Sequence, residues 1–343
     1  MKNMIWLFLL AALVLAACSE DSEQQGGARE EVLRLTAVTR TPSEAIVNAG
    51  EDQSPIQIYL MSGLQKTEGN FVYSDGWSST IGVKETNNFI FGFSPATAAA
   101  GNISPITADA TDYSAGAKLT LNNLHAVGAD DICVVVGVKN STNRNDTPDF
   151  GVFEFTKGTG DNSVCLLLDH LFAAIDFKIK IGSKYNELRD IYLKKMELKS
   201  ALSISQAVVT LTANTGVNPL DNPLNIAYTQ DATASQSNVV YDYGTDATTT
   251  TGLELTQEGT RFVSYCAPLT GIVEKLTLVC TYDVYNKKGT RVRENCTAEN
   301  SLSAISGLTL ERRTKNTITL TVEPSYLYQL SEDELDNPTV KLN

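Results

Sequence analysis

Ile175-Asp176-Phe177-Lys178-Ile179-Lys180-Ile181 decides the fold. Every apolar side chain points one way and every charge the other. That period of two marks a strand with one buried and one wet face. The same alternation recurs outward from it. Ile56, Ile58 and Leu60 share one face, as do Phe89, Phe91 and Phe93. Leu276, Leu278, Cys280, Tyr282 and Val284 form a long inward face, and Ile318, Leu320 and Val322 alternate with Thr317, Thr319 and Thr321. Residues 132–138 are apolar apart from Gly137, as in a central strand covered on both sides. Turn chemistry at Ser74-Asp75-Gly76, Asn286-Lys287-Lys288-Gly289 and Asn218-Pro219 separates the runs. Residues 185–198 carry a hint of helix in Tyr185, Leu188, Ile191 and Met196, yet Ile191 and Leu193 alternate. The reading there is a turn as far as Asp190, then a strand whose register slips at a bulge near Lys195. Residues 200–260, rich in Thr, Ser, Asn and Gly, hold short strands and long surface loops. Many strands and few helices predict an all-β chain of antiparallel sandwiches.

The 343 residues include 27 basic and 40 acidic ones, a net charge of -13. That balance argues against nucleic acid as a partner, because phosphates would be repelled. It also argues against an electrostatic hold on anionic lipid. Residues 5–17 form a 13-residue apolar run behind Lys2. The run is too short to cross ~30 Å of hydrocarbon as a helix and suits a signal-peptide core. Leu15-Ala16-Ala17-Cys18 closes it and resembles a bacterial lipoprotein signal. The resemblance implies cleavage before Cys18, acylation of its thiol and new amino terminus, and attachment to the outer membrane through lipid. A plain secretory signal with an incidental Cys is the alternative. Residues 19–31 are polar and acidic, as in a flexible tether, and resemble the surface-export signal of Bacteroides-type lipoproteins. The 326 residues from Cys18 onward suggest two domains at ~150 residues each, with a boundary near 165–175.

Five cysteines follow Cys18: Cys133, Cys165, Cys266, Cys280 and Cys296. Their spacing shows neither a CxxC pair nor a Cys/His cluster, so no metal is expected. Cys133 and Cys280 read as small core residues. Cys280 with Cys296, across a hairpin, is the pair where a disulfide would first be sought. His170, beside Leu168 and Leu171, reads as a structural side chain rather than a base, and His125 has no partner pattern. Asp130-Asp131, and Asp221 with Asp231, have the chemistry of calcium ligands or glycosidase carboxylates. Among 40 acidic residues such pairs are expected without function. Trp77, Tyr241, Tyr243 and Tyr265 could stack on sugar rings, although Trp77 follows Asp75-Gly76 and reads as a loop-to-strand anchor. No catalytic residue, cofactor or enzyme activity is expected.

Val164-Cys165-Leu166-Leu167-Leu168-Asp169-His170-Leu171-Phe172-Ala173-Ala174, running into the strand quoted first, resembles the central pattern of the fimbrillin family of type V pili. Gly182, Tyr185, Leu188, Ile191 and Leu193 continue that pattern. Thr39-Arg40, Phe89-Ile90-Phe91-Gly92-Phe93-Ser94-Pro95, Tyr265-Cys266-Ala267-Pro268 and the closing strand 316–322 fit in order, so the resemblance covers about residues 36–343. It implies two tandem transthyretin-like β-sandwich domains. The implied layout is a signal peptide at 1–17, an acidic tether plus removable first strand at 18–40, domains at 41–168 and 169–325, and a tail at 326–343. It further implies a structural and adhesive subunit of a cell-surface fimbrium, exported as a lipoprotein and matured by an Arg-specific protease. Polymerisation is then by donor-strand exchange with other pilus subunits. Leu33, Leu35 and Ala37 would line the removable strand, with cleavage after Arg40, or failing that after Arg34. Val340 and Leu342 would anchor the donated strand, unless the tail pairs within its own domain. A host or bacterial surface receptor is an implied partner. A monomeric surface glycan-binding lipoprotein is the alternative reading.

Overall fold

The structure is a computed structural model that describes residues 31–40, 53–140, 153–158, 162–213, 224–245, 251–323 and 338–342. The compact unit Val32–Asn343 is almost wholly β. Among the described residues no helix is long and apolar enough to cross a membrane.

An eight-stranded sheet opens the unit. Its order is Arg34–Arg40, Ser163–His170, Cys133–Asn140, Asn87–Ser94, Ile56–Ser62, Gln65–Tyr73 and Trp77–Ser78, with Glu154–Thr156 added against Asn87–Ser94. A five-stranded sheet runs Thr339–Leu342, Lys315–Glu323, Ala173–Ile181, Thr260–Cys266 and Val127–Gly128. A second five-stranded sheet is built on Gln236–Asp242, Arg189–Ser200, Leu276–Asn286 and Arg291–Ser301, with Leu253–Glu254 beside Arg189–Ser200. The fourth sheet pairs Asn225–Asp231, Ser203–Thr212, Gly116–Asn122 and Ala100–Pro105, so strands from both halves of the chain share it. Neighbours are antiparallel except at two places: Arg34–Arg40 runs parallel to Ser163–His170, and Ala173–Ile181 runs parallel to Lys315–Glu323.

The alternating strands feed two cores. Ile56, Ile58, Leu60, Ile90, Cys133, Val135, Leu166 and Leu168 enter a smaller one. Tyr59, Met61, Phe91, Phe93, Val134 and Leu167 point the other way, into a larger core continuous with Ile175, Phe177, Leu278, Leu320 and Val340. The central strands of the eight-stranded sheet are therefore covered on both faces. The wet face expected beside Ile56, Ile58 and Leu60 is absent because Tyr59 and Met61 enter the larger core. The one expected beside Phe89, Phe91 and Phe93 is absent because Ile90 enters the smaller core, which Ile81, Val83, Phe71 and Phe155 complete. Asp176 departs from expectation for a different reason. It is buried, and it is held there by Arg261, Thr317 and Lys315. A buried carboxylate persists only with such partners.

Elsewhere local chemistry and structure agree. Ser183–Asn186 forms one helical turn, and the strand Arg189–Ser200 shifts register between Leu193 and Lys195. Gly289, at φ +77°, turns the hairpin between Leu276–Asn286 and Arg291–Ser301, and Asn286 Oδ1 accepts from the amides of Lys288 and Thr290. In that hairpin Cys280 faces Ala298 and Cys296 faces Tyr282. The two thiols are diagonal neighbours, about 7–8 Å apart at Cα. That exceeds the usual disulfide span. Burial pushes the Cys280 thiol up to about 12.

Candidate functional site

The two ends of the unit are both edge strands. The first, Arg34–Arg40, lies at the margin of the eight-stranded sheet against Ser163–His170. Alternation sends Leu33 and Leu35 into the smaller core, at 0% and 6% exposure, while Arg34 is exposed. The backbone is held from both sides. Leu33 N donates to Ile81 O at 2.8 Å, Arg34 N donates to Asn162 O at 2.9 Å, and Ser79 Oγ donates to Leu33 O at 2.6 Å. The register shifts between Leu35 and Ala37, and the strand closes with Arg40 opposite Leu168. The side chains of Ala37 and Arg40 lie outside the described residues, as does Cys18 entirely.

Burying two Leu side chains contributes roughly 3–6 kcal/mol. That hold belongs to one short strand paired along its length with Ser163–His170 and pinned at its start by Ile81 and Ser79. Taking it away would uncover both a row of backbone groups on Ser163–His170 and an apolar slot in the smaller core.

The last strand, Thr339–Leu342, pairs antiparallel to Lys315–Glu323, with Val340 opposite Val322 and Leu342 opposite Leu320. Val340 is 4% exposed and Leu342 is half-buried on the larger core. Tyr282 Oη donates to Pro338 O at 2.6 Å, and Lys341 Nζ meets Glu323 Oε1 at 2.6 Å. Burial pushes the Tyr282 phenol up, so it stays a donor at ordinary pH. Within the chain, then, the tail completes its own sheet.

Ser163–His170 is the strand that the first strand covers, and it carries a polar cluster at its far end. Asp169, fully buried, takes Arg313 Nε at 2.7 Å and Arg313 Nη2 at 2.6 Å, and also pairs with Arg312. Arg312 Nη1 also donates to His170 O at 3.3 Å. His170 Nδ1 lies 2.8 Å from Asp131 Oδ2 and 3.2 Å from Cys133 Sγ. Sequence spacing gave no hint of this trio, because 37 residues separate Cys133 from His170. The antiparallel register, which puts those two directly opposite, is what joins them.

The other sequence candidates are scattered. Asp130 is exposed, while Asp131 is buried with His170. Asp231 caps its own turn through Thr233, and Asp221 lies outside the described residues. Trp77 packs on the smaller core and meets Tyr73 edge-on. Tyr241 stacks against Phe262, Tyr243 lies under Lys194, and Tyr265 is buried, so it offers no open ring to a sugar.

No protein-family model matches the chain, and no curated protein sequence matches it. Solved structures of similar layout include three with near-complete coverage. One is a candidate cell-adhesion protein from Bacteroides fragilis (TM-score 0.44, 11% identity, covering 91% of this chain and 97% of that one). Another is the fimbrial anchor protein Mfa2 from Porphyromonas gingivalis (TM-score 0.31, 11% identity, 89% and 95%). A third is a fimbrial protein from Bacteroides vulgatus (TM-score 0.30, 16% identity, 91% and 98%). These neighbours are adhesion and fimbrial proteins. At TM-scores below 0.5 they carry no argument for what this chain does, which rests on its own strands.

Proposed function

We propose that the chain is a structural and adhesive subunit of a cell-surface fimbrium, exported as a lipoprotein through Cys18 and assembled by strand exchange. The observation that carries this reading is the first strand. It is a short edge strand, it buries Leu33 and Leu35 in a core of its own, and it ends at Arg40. Cleavage after Arg40 would free it and leave an apolar slot beside an unpaired strand edge; cleavage after Arg34, the fallback, would release Leu33 but leave residues 35–40 on the chain. A donated strand would fill both slot and edge. The tail around Val340 and Leu342 is the matching donor. In this reading the sheets form tandem transthyretin-like sandwiches over 41–168 and 169–325. Two features support that division: the eight-stranded sheet draws only on residues 34–170, and the hairpin sheet only on residues 189–301. The role is not enzymatic, and the partners are other pilus subunits, an Arg-specific protease and a surface receptor.

The test is mass spectrometry of the surface-exposed protein, reading its N-terminus and lipid, for the native chain and for Arg40→Ala. The proposal expects a mature start after Arg40, loss of that start in Arg40→Ala, and multimer ladders in partly heated samples. A monomer that still begins at Cys18 in both would remove polymer assembly. A lipidated form capped onto multimers would place the chain at the base of the fimbrium.

A further inference from the structure

Asp131, Cys133 and His170 bring a carboxylate oxygen, a sulfur and an imidazole nitrogen within 4.8 Å of one another. They are buried at 8%, 0% and 1% exposure. Strand geometry fixes the arrangement: Cys133 and His170 are register partners, and Asp131 lies just before the strand Cys133–Asn140. Both Asp131 and Cys133 approach the same ring atom, Nδ1 of His170. A nucleophile, base and orienting acid would take opposite ring nitrogens, as the relay of a hydrolase requires. The trio does not have that form. It has the form of three donors converging on one point.

We propose that Asp131, Cys133 and His170 bind one divalent ion of the zinc class. Thiolate, imidazole and carboxylate form a zinc donor set, with bonds near 2.3, 2.0–2.1 and 2.0–2.2 Å. Tetrahedral donors at those lengths stand about 3.3–3.7 Å apart. The observed 2.8 and 3.2 Å separations therefore need to open by about half an ångström, within the reach of side-chain adjustment. Calcium and magnesium fit badly, because they want six or more oxygen ligands or an octahedral shell of waters. On binding, the thiol loses its proton to solvent and Nδ1 exchanges its hydrogen bonds for a coordinate bond. Carboxylate and thiolate then offset the dication inside the core.

The surroundings suit a cation despite two nearby arginines. Arg312 and Arg313 are both held on Asp169, which offsets one of their two charges and directs both guanidinium groups to its carboxylate. The Arg312 bond to the His170 carbonyl fixes the backbone that carries the ligand. A cavity of about 290 Å³ includes Asp130, Ile132 and Phe172 in its lining, flanking the trio in sequence. None of the three donors lines that cavity, so the fourth ligand would be a water enclosed with the ion. Such a site would tie the end of Ser163–His170 to its neighbour, on the strand that the first strand covers.

The experiment uses the tag-free, reduced chain after chelation, titrated with zinc chloride by calorimetry and with cobalt(II) by absorption. The expected result is one equivalent bound, a raised thermal midpoint and a sulfur-to-cobalt charge-transfer band. Cys133→Ser and the near-isosteric Asp131→Asn, each checked for folding by circular dichroism, should weaken binding more than about 10-fold. Cys296→Ser, which removes a half-exposed thiol, should change nothing. Absence of saturable binding to the folded native chain would overturn the proposal. So would a folded Asp131→Asn that binds as tightly as the native chain, or loss of the band in Cys296→Ser.

Discussion

Truncating Leu33 tests whether the first strand is a separable flap or an integral part of the fold. Leu33 is fully buried, and a core Leu→Ala change costs about 2–5 kcal/mol. If that loss falls on local opening of the strand, each 1.4 kcal/mol raises the open population tenfold, so Leu33→Ala raises it by roughly 30-fold to a few thousand-fold. Hydrogen exchange reads this directly. The amides of Leu33 and Arg34 are bonded to Ile81 O and Asn162 O and exchange only when the strand lifts. Peptides covering 31–40 should exchange faster by that factor, while peptides covering Leu276–Asn286, deep in the larger core, keep their native rate. Trypsin should release the strand faster in step. If 31–40 and 276–286 accelerate together, the strand comes away only when the whole unit unfolds. The reasoning that makes it removable then fails.

Three further outcomes follow from the same contacts. Tyr282→Phe removes the bond to Pro338 O and leaves that carbonyl unpaired, which should weaken the tail by about 1–3 kcal/mol; exchange at 339–342 should rise while the thermal midpoint moves little. Asp169→Asn leaves Arg312 and Arg313 facing a neutral amide, and urea unfolding should report a loss of about 3–5 kcal/mol. For Cys280 the folded value, pushed up to about 12, lies above the unfolded thiol value of about 8.5. Its contribution is therefore whole below pH about 8.5 and is lost as pH rises towards 12; Cys280→Ala should flatten the alkaline fall in urea stability, and an unchanged slope would contradict the assignment.

How far the sequence could be read depends on what kind of interaction each residue makes. The run 175–181, the inward face 276–284 and the slip near Lys195 were all legible, because alternation and turn chemistry are local. The covering of 56–60 on its second face was not. It depends on the larger core, where Tyr59 and Met61 join side chains such as Ile103, Leu119 and Leu121 from another sheet, a contact no local pattern announces. Asp176 was read as wet because charge is expected at the surface, and only tertiary partners 85 or more residues away reverse that. Asp131, Cys133 and His170 were missed for the same reason: metal-ligand spacing is a pattern along the chain, whereas this trio is assembled across a strand ladder. The edge position of 34–40 was expected from a resemblance; alternation alone could not say which neighbour it would take.

Strand exchange has to improve on the strand that leaves, and the two ends allow a comparison. The first strand offers Leu33 and Leu35 at i and i+2, and the tail offers Val340 and Leu342 at the same spacing. Replacing Leu33 and Leu35 by Val340 and Leu342 loses about one methylene, or ~0.8 kcal/mol, so the slot is nearly matched rather than better filled. To be donated, the tail must also give up its pairing to Lys315–Glu323, the Tyr282 bond and the Lys341 pair. A like-for-like swap of four residues therefore has little net drive. Assembly under the proposal needs two things: proteolysis, so that the departing strand is lost for good, and additional donor contacts from 326–338. Deleting 326–337 while keeping 338–342 tests this. Cleaved protein with the deletion should stay monomeric by light scattering while the uncut unit melts as before. Multimers formed at the native rate would show that the four-residue strand suffices.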